Sequence, residues 1–333
     1  MITLLTKNNG SHTLVERTPE MLLAPANDPD AQDSIWIDLR NPPLSEDKWV
    51  EQILGFPVPT REDMGDIEPS SRLYTENGQA CVMTTSLPLP GEGGTMDISP
   101  ITFILTPKIL VTARYSDPPA FKSVLSRATR IRNDSKSVDI FFLLVGASVD
   151  KISELLEKAT HDLDDLSNAI FRNSIKTPDA DTPPVDLQQV ITRLGQIGDV
   201  NSKVRECLVS LARFFSFLSS AASWLNAEQQ EHIKTLIRDV RFLGDHADFL
   251  NTKVNFLLDA TLGLIDIEQT KIIKIFSVAA TVFLPPTLIA SVYGMNFHFM
   301  PELDKPWGYP LSVFLMLLSA IGPYFYFKRK NWL

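Results

Sequence analysis

"IFSVAATVFLPPTLIASVY", residues 275–293, runs for nineteen residues without a charge. A bilayer core of about 30 Å takes roughly twenty residues of helix. A second uncharged stretch, "WGYPLSVFLMLLSAIGPYFYF" (307–327), runs for twenty-one. Both are long enough to span. Tyr293, Trp307, Tyr309, Tyr324, Tyr326 and Trp332 stand at their ends, where side chains with an apolar body and a polar tip suit the headgroup layer. Lys271 and Lys274 precede the first stretch, and Lys328, Arg329 and Lys330 follow the second. Basic flanks mark the cytoplasmic side. The expected topology is two transmembrane helices (272–294 and 308–327), an outward loop (295–307), a basic tail (328–333) and both termini inside.

The residues ahead of the spans divide by period. Residues 1–148 read as an α/β cytoplasmic domain. "SIWIDL" (34–39) is a strand candidate, "NPPLSEDKWVEQIL" starts a helix after prolines, and "QACVMTTSLPL" tends to a strand. "ITFILTPKILVTARY" (101–115) reads as two strands joined by a Pro-Lys turn. "DIFFLLVGAS" (139–148) is too short to cross a bilayer and reads as a buried helix segment. From 149 the apolar residues recur at helical steps, with Ile152, Leu155, Leu156, Ala159, Leu163, Leu166 and Ile170 on one stripe. "KTPDADTPPVD" (176–186) breaks the pattern. From 227 no proline occurs until Pro285, so a long stalk helix flows into the first span. The fold class is thus an α+β domain, long stalk helices over 149–271, and two transmembrane helices.

The chain has 333 residues and a net charge of −9, unevenly placed. After residue 270 six bases face two acids, +4; before it 38 acids face 25 bases, −13. An acidic body argues against nucleic acid, which needs clustered Lys and Arg. It suits attraction of cations, and equally plain solubility. Cys81 and Cys207 suggest neither a disulfide framework nor a zinc motif. "MITLLTKNNGSHTLVERTPE" lacks a basic segment followed by an apolar core, so no signal peptide is expected. No phosphate loop, dinucleotide fingerprint or nucleophile elbow is present, so neither an enzyme nor an organic cofactor is expected. His161, His232 and His246 lie on helices beside carboxylates and read as exposed helical pairs rather than metal ligands.

Two helices cannot enclose an aqueous path, so a pore needs several copies around an axis. Walked at helical steps, the first span gives Thr270, Ile273, Ser277, Ala280 or Thr281, Leu284, Thr287, Ser291 and Gly294. This stripe of small and hydroxyl side chains could offer uncharged oxygens in series. Close packing between helices uses the same residue types, and on the stripe alone both readings stand. Pro285-Pro286 bends the helix and frees carbonyls near Thr281 and Leu284.

"FLPPTLIASVYGMNF", with Gly294-Met295-Asn296 closing the first span, strongly resembles the CorA family of divalent-cation transporters. "NFLLDATLGLIDIEQTKIIKIFSV", "MPEL" followed by "GYP", "YFKRKNWL" and the earlier "PTREDMGDIEPSSRLY" are also similar to that family, so the resemblance covers most of the chain. It implies a funnel-shaped homopentameric channel for Mg²⁺, and also Co²⁺ and Ni²⁺, gated by intracellular Mg²⁺. It implies a selectivity filter at Gly294, Met295 and Asn296. Thr270, Ile273, Leu284 and Thr287, with Ser277 and Ser291, would line or gate the pore. Lys328, Arg329 and Lys330 would form an inner basic belt, and Glu302 and Asp304 would attract cations outside. Regulatory Mg²⁺ would bind between subunits, the candidate carboxylates being Asp239, Asp245, Asp248, Asp259 and Asp266. His298 departs from the family, which more usually has an acid there. That puts the outer loop's pull on cations in doubt and leaves room for softer metals such as zinc. A related zinc-transporting branch usually changes the middle residue of the triplet, and Met295 favours the magnesium branch. A membrane-tethered scaffold without transport is the remaining alternative.

Overall fold

The computed structural model describes residues 1–8, 11–25, 28–66, 68–91, 95–128, 134–175, 186–295, 300–301, 305–330 and 332. The chain falls into two compact units, Met1–Leu257 and Leu258–Leu333.

The first unit is built on a seven-stranded sheet: β1 (Ile2–Asn8), β2 (Ser11–Arg17), β3 (Ser34–Arg40), β4 (Leu73–Glu76), β5 (Ala80–Pro90), β6 (Met96–Leu105) and β7 (Leu110–Arg114). Their order is β2-β1-β3-β7-β6-β5-β4, with β3 and β7 parallel and every other pair antiparallel. Short helices punctuate the strands: α1 (Pro29–Gln32), α2 (Leu44–Leu54), α3 (Arg61–Gly65), α4 (Pro69–Arg72) and α5 (Pro119–Arg127). Prolines inside strands stand where a neighbour is present on one side only. Pro88 and Pro90 lie beyond the part of β5 that pairs β4, and Pro100 lies before the part of β6 that pairs β7. There the missing N–H interrupts no ladder. The Pro-Lys turn between β6 and β7 closes as read, with Thr106 N–H donating to the Ile109 carbonyl at 3.0 Å and Ile109 N–H to Thr106 Oγ1 at 2.9 Å. Thr60 and Asp63 make a capping box at α3.

Period-two alternation sends side chains to opposite faces of the sheet. Ile37, Leu39, Val82, Ile104 and Val111 pack with Trp49 and Val50 of α2. On the other face Trp36 and Phe103 meet Phe121 of α5, and Phe103 meets Phe141 and Phe214 at 5.9 and 5.5 Å. Phe141 belongs to α6 (Ser137–Ile175) and Phe214 to α7 (Leu187–Ala221). The α6 helix starts ahead of the period change read at 149. Ile140, Phe141, Leu144 and Val145 are buried against the core, and the apolar residues between them hide the helical step in the sequence.

One helix, α8 (Ala227–Tyr293), carries 67 residues through both units. In the first unit its stripe Ile233, Leu236, Val240, Ala247, Leu250, Val254 and Leu257 is buried. Asn201 Nδ2 of α7 donates to the Ala247 carbonyl at 2.9 Å, and Lys253 Nζ reaches Asp164 of α6 at 2.6 Å. The second unit holds the rest of α8 and the 22-residue α9 (Gly308–Arg329). Both helices contain segments long and apolar enough to cross a membrane, and those segments are almost wholly exposed in the single chain.

Candidate functional site

The apolar end of α8 is continuous helix through Pro285 and Pro286. A proline lacks the N–H that would bond four residues back, so the carbonyls of Thr281 and Val282 are the ones left without a helical donor. This moves the second freed carbonyl from Leu284 to Val282. Thr281 Oγ1 donates to the Ser277 carbonyl at 2.8 Å, and Thr287 Oγ1 to the Phe283 carbonyl at 2.7 Å. Each hydroxyl oxygen keeps its lone pairs for an outside donor such as a water.

Thr270, Ile273, Ser277, Leu284, Thr287 and Ser291 are all exposed in the single chain. The bulky apolar pair is the most informative, with Ile273 63% and Leu284 66% exposed. Val278, off this line, is buried. Gly294 N–H donates to the Ala290 carbonyl at 2.9 Å, and a Cβ at Gly294 would lie 3.1 Å from that same oxygen, tighter than ordinary contact. Met295 follows, with its N–H to the Val292 carbonyl at 3.3 Å. Asn296, His298, Glu302 and Asp304 lie outside the described residues.

The basic residues gather at one end of the helix pair. Lys274 Nζ, near the start of the first span, sits 5.6 Å from the ring centre of Trp332, beyond the second. Trp332 stacks on Phe327 at 5.4 Å, and Lys330 lies over Tyr326 at 5.9 Å. Lys328, Arg329 and Lys330 are exposed. Sequence reasoning put both flanks on one side from charge alone and missed the Lys274–Trp332 contact that joins them.

The five candidate regulatory acids are exposed on α8. Asp248 is engaged by Arg205 of α7 at 2.5 Å. Among the described residues no three His, Cys, Asp or Glu converge as one metal cage within the chain. His246 Nε2 is hydrogen-bonded with Thr160 Oγ1 at 3.1 Å, and His232 packs on Phe142 at 4.4 Å.

Residues 31–329 match the family described as CorA-like Mg2+ transporter protein. The chain belongs to the CorA family. The magnesium transport protein CorA of Salmonella typhimurium is 35% identical over 302 residues, 90% of this chain and 92% of the relative. That of Escherichia coli K12 is 35% identical over 301 residues. The complete structure of the CorA magnesium transporter from Methanocaldococcus jannaschii superposes with a TM-score of 0.74 over 100% of this chain and 99% of that one, at 18% identity. The full-length CmaX protein gives 0.66 over 98% and 96% at 14% identity. These likenesses carry the fold: an α/β domain, a long helix and two apolar helices.

Proposed function

We propose that this chain is one protomer of a homopentameric channel that carries hydrated Mg²⁺, and also Co²⁺, passively into the cytoplasm across the inner membrane. The observation that carries the reading is the exposed line of Thr270, Ser277, Thr287 and Ser291 hydroxyls on α8, which Gly294-Met295-Asn296 follows in sequence. The magnesium transport of the CorA relatives supports the same cargo.

Five copies of α8 would put Thr270, Ser277, Thr287 and Ser291 around a wet axis, with the freed carbonyls of Thr281 and Val282 available to the same water. Mg²⁺ releases its waters reluctantly and demands octahedral oxygen geometry. A ring of Asn296 amides can hydrogen-bond that water coat without binding the ion as a carboxylate ring would. Ile273 and Leu284 would close the path by dewetting. Glu302 and Asp304 would raise the local cation concentration outside, and Lys328, Arg329 and Lys330 would ring the inner end. Intracellular Mg²⁺ would hold the closed state through Asp239, Asp245, Asp248, Asp259 and Asp266. Their hard oxygens suit the ion. The resemblance implies that such a site draws its carboxylates from two copies.

The test is vesicle reconstitution with an internal Mg²⁺ dye. The unsubstituted protein is expected to pass Mg²⁺, and Asn296→Ala to lose uptake while keeping the same particle mass. Normal uptake in that variant would remove the amide ring. Zinc flux that needs a pH gradient, without Mg²⁺ flux, would favour the zinc branch, and no flux of any divalent ion would leave a tethered scaffold.

A further inference from the structure

Away from the helix pair, the first unit holds a cavity of about 370 Å³ where the β5–β6 hairpin, the start of α5, α6 and α7 meet. Leu89, Met96, Leu155, Ala159, Ile197 and Val200 make its walls mostly apolar. Pro88, Pro90 and Pro119 also line it, and their fixed φ stiffens the wall. Gly91 N–H donates to the Thr95 carbonyl at 2.9 Å, which closes the hairpin beside it. The charged lining residues are Lys151, Lys158 and Asp162, all from α6. Lys151 Nζ is 2.5 Å from Glu154, whereas Lys158 and Asp162 are in no ion pair among the described residues. Asp97 and Asp199, next in sequence to lining residues, are already answered by Lys203 at 3.7 and 2.9 Å.

Apolar walls with a few placed polar groups are the make-up of a small-molecule site, and the volume is in the range such sites have. Two lysines against one aspartate leave the lining positive, which suits a single anionic head. We propose that this cavity binds a ring-bearing monocarboxylate, its ring against Met96, Leu155, Ile197 and Val200 and its carboxylate on Lys158 and Lys151. An ammonium makes the stronger kind of hydrogen bond to a carboxylate, and that of Lys158 is not taken up by another acid. A second negative charge on the ligand would meet Asp162, one helical turn beyond Lys158, so a dianion is disfavoured. In a stiff cavity a rigid ring loses less freedom than a flexible acyl chain, so the occupant is a ring acid and not a fatty acid. Bound there, it touches the hairpin, α6 and α7 together, three elements far apart in the chain.

The test is ligand-observed NMR saturation transfer from the full chain in nanodiscs, with cinnamate as the probe and empty nanodiscs as the background. Transfer above background is expected for cinnamate, lost for the neutral cinnamamide and weaker for the flexible octanoate. Lys158→Gln, at an exposed position, is expected to weaken cinnamate binding about tenfold, the size of one charged hydrogen bond. Val200→Trp, at a half-buried wall position, fills the cavity and is expected to abolish binding with the thermal midpoint kept. No transfer above empty nanodiscs, equal binding of cinnamamide, octanoate binding as tightly as cinnamate, or binding unchanged in Lys158→Gln would each overturn the proposal. Binding that survives in a folded Val200→Trp would place the probe elsewhere and overturn it too. Ion flux plays no part in the readout, so failure of the transport reading leaves this site untouched.

Discussion

Asp47 on α2 illustrates how one residue carries a pH response. Burial first, then the neighbouring carboxylates of Glu51 and Glu46, pushes it up from 3.8 to about 6. The folded chain therefore holds this proton where the unfolded chain has lost it. Stability from this group rises as pH falls from above 6 toward 4, and its ionised form destabilises the fold above about 6. Asp47→Asn is expected to raise the thermal midpoint at pH 8, by about half as much at pH 5, and to change it little near pH 4. Tryptophan-fluorescence melts of the solubilised protein check this, and an equal shift at both pH values would contradict it. In "LSEDKWVEQIL" nothing distinguishes Asp47 from its neighbouring acids. Gly294-Met295-Asn296 stands out in the sequence by its place at the end of an uncharged run.

At the scale of elements, the parallel pair β3 and β7 is fastened by a buried polar chain. Trp36 Nε1 donates to Thr112 Oγ1 at 3.0 Å, and Thr112 Oγ1 to Asp38 Oδ1 at 2.7 Å. Arg114 Nη2 donates to Asp38 Oδ2 at 2.8 Å and continues to Asp117. The guanidinium also lies 4.9 Å over Phe121. Asp38 and Arg114 are 1% and 2% exposed, so removing one partner strands a charge in the core. Asp38→Ala is expected to cost about 3–5 kcal/mol, and Asp38→Ala with Arg114→Met distinctly less. Urea-unfolding midpoints would decide it, and a double variant as weak as the single one would contradict the pairing. Alternation in "SIWIDL" and "VTARY" locates the strands, but it gives no reason to bury these charges. The β1–β2 hairpin is not legible in the sequence, because Ile2 to Thr6 are all buried and no in–out alternation marks the strand.

For the whole molecule, the expected driving force is electrical. An inside-negative potential of about 100 mV favours entry of a dication by roughly 4.6 kcal/mol. Mg²⁺ uptake into reconstituted vesicles should rise when a potassium diffusion potential makes the interior negative, and collapse when the potential is dissipated. Added ATP should change nothing. Uptake that requires ATP or ignores the potential would contradict passive conduction.

Sequence alone determined that two uncharged helices follow a long helix and an acidic α/β body, and that their basic flanks lie toward one side. Those properties follow from local composition, since burying a charge in a bilayer is costly wherever the rest of the chain lies. Which line of α8 is covered depends on the folded packing. Leucines and phenylalanines alternate through 233–257, and packing against α6 and α7 buries Ile233, Val240 and Leu250 while leaving Phe242, Phe249 and Phe256 open. That choice depends on surfaces supplied by residues far away in the chain, and a helical period, being the same for every face, does not contain it.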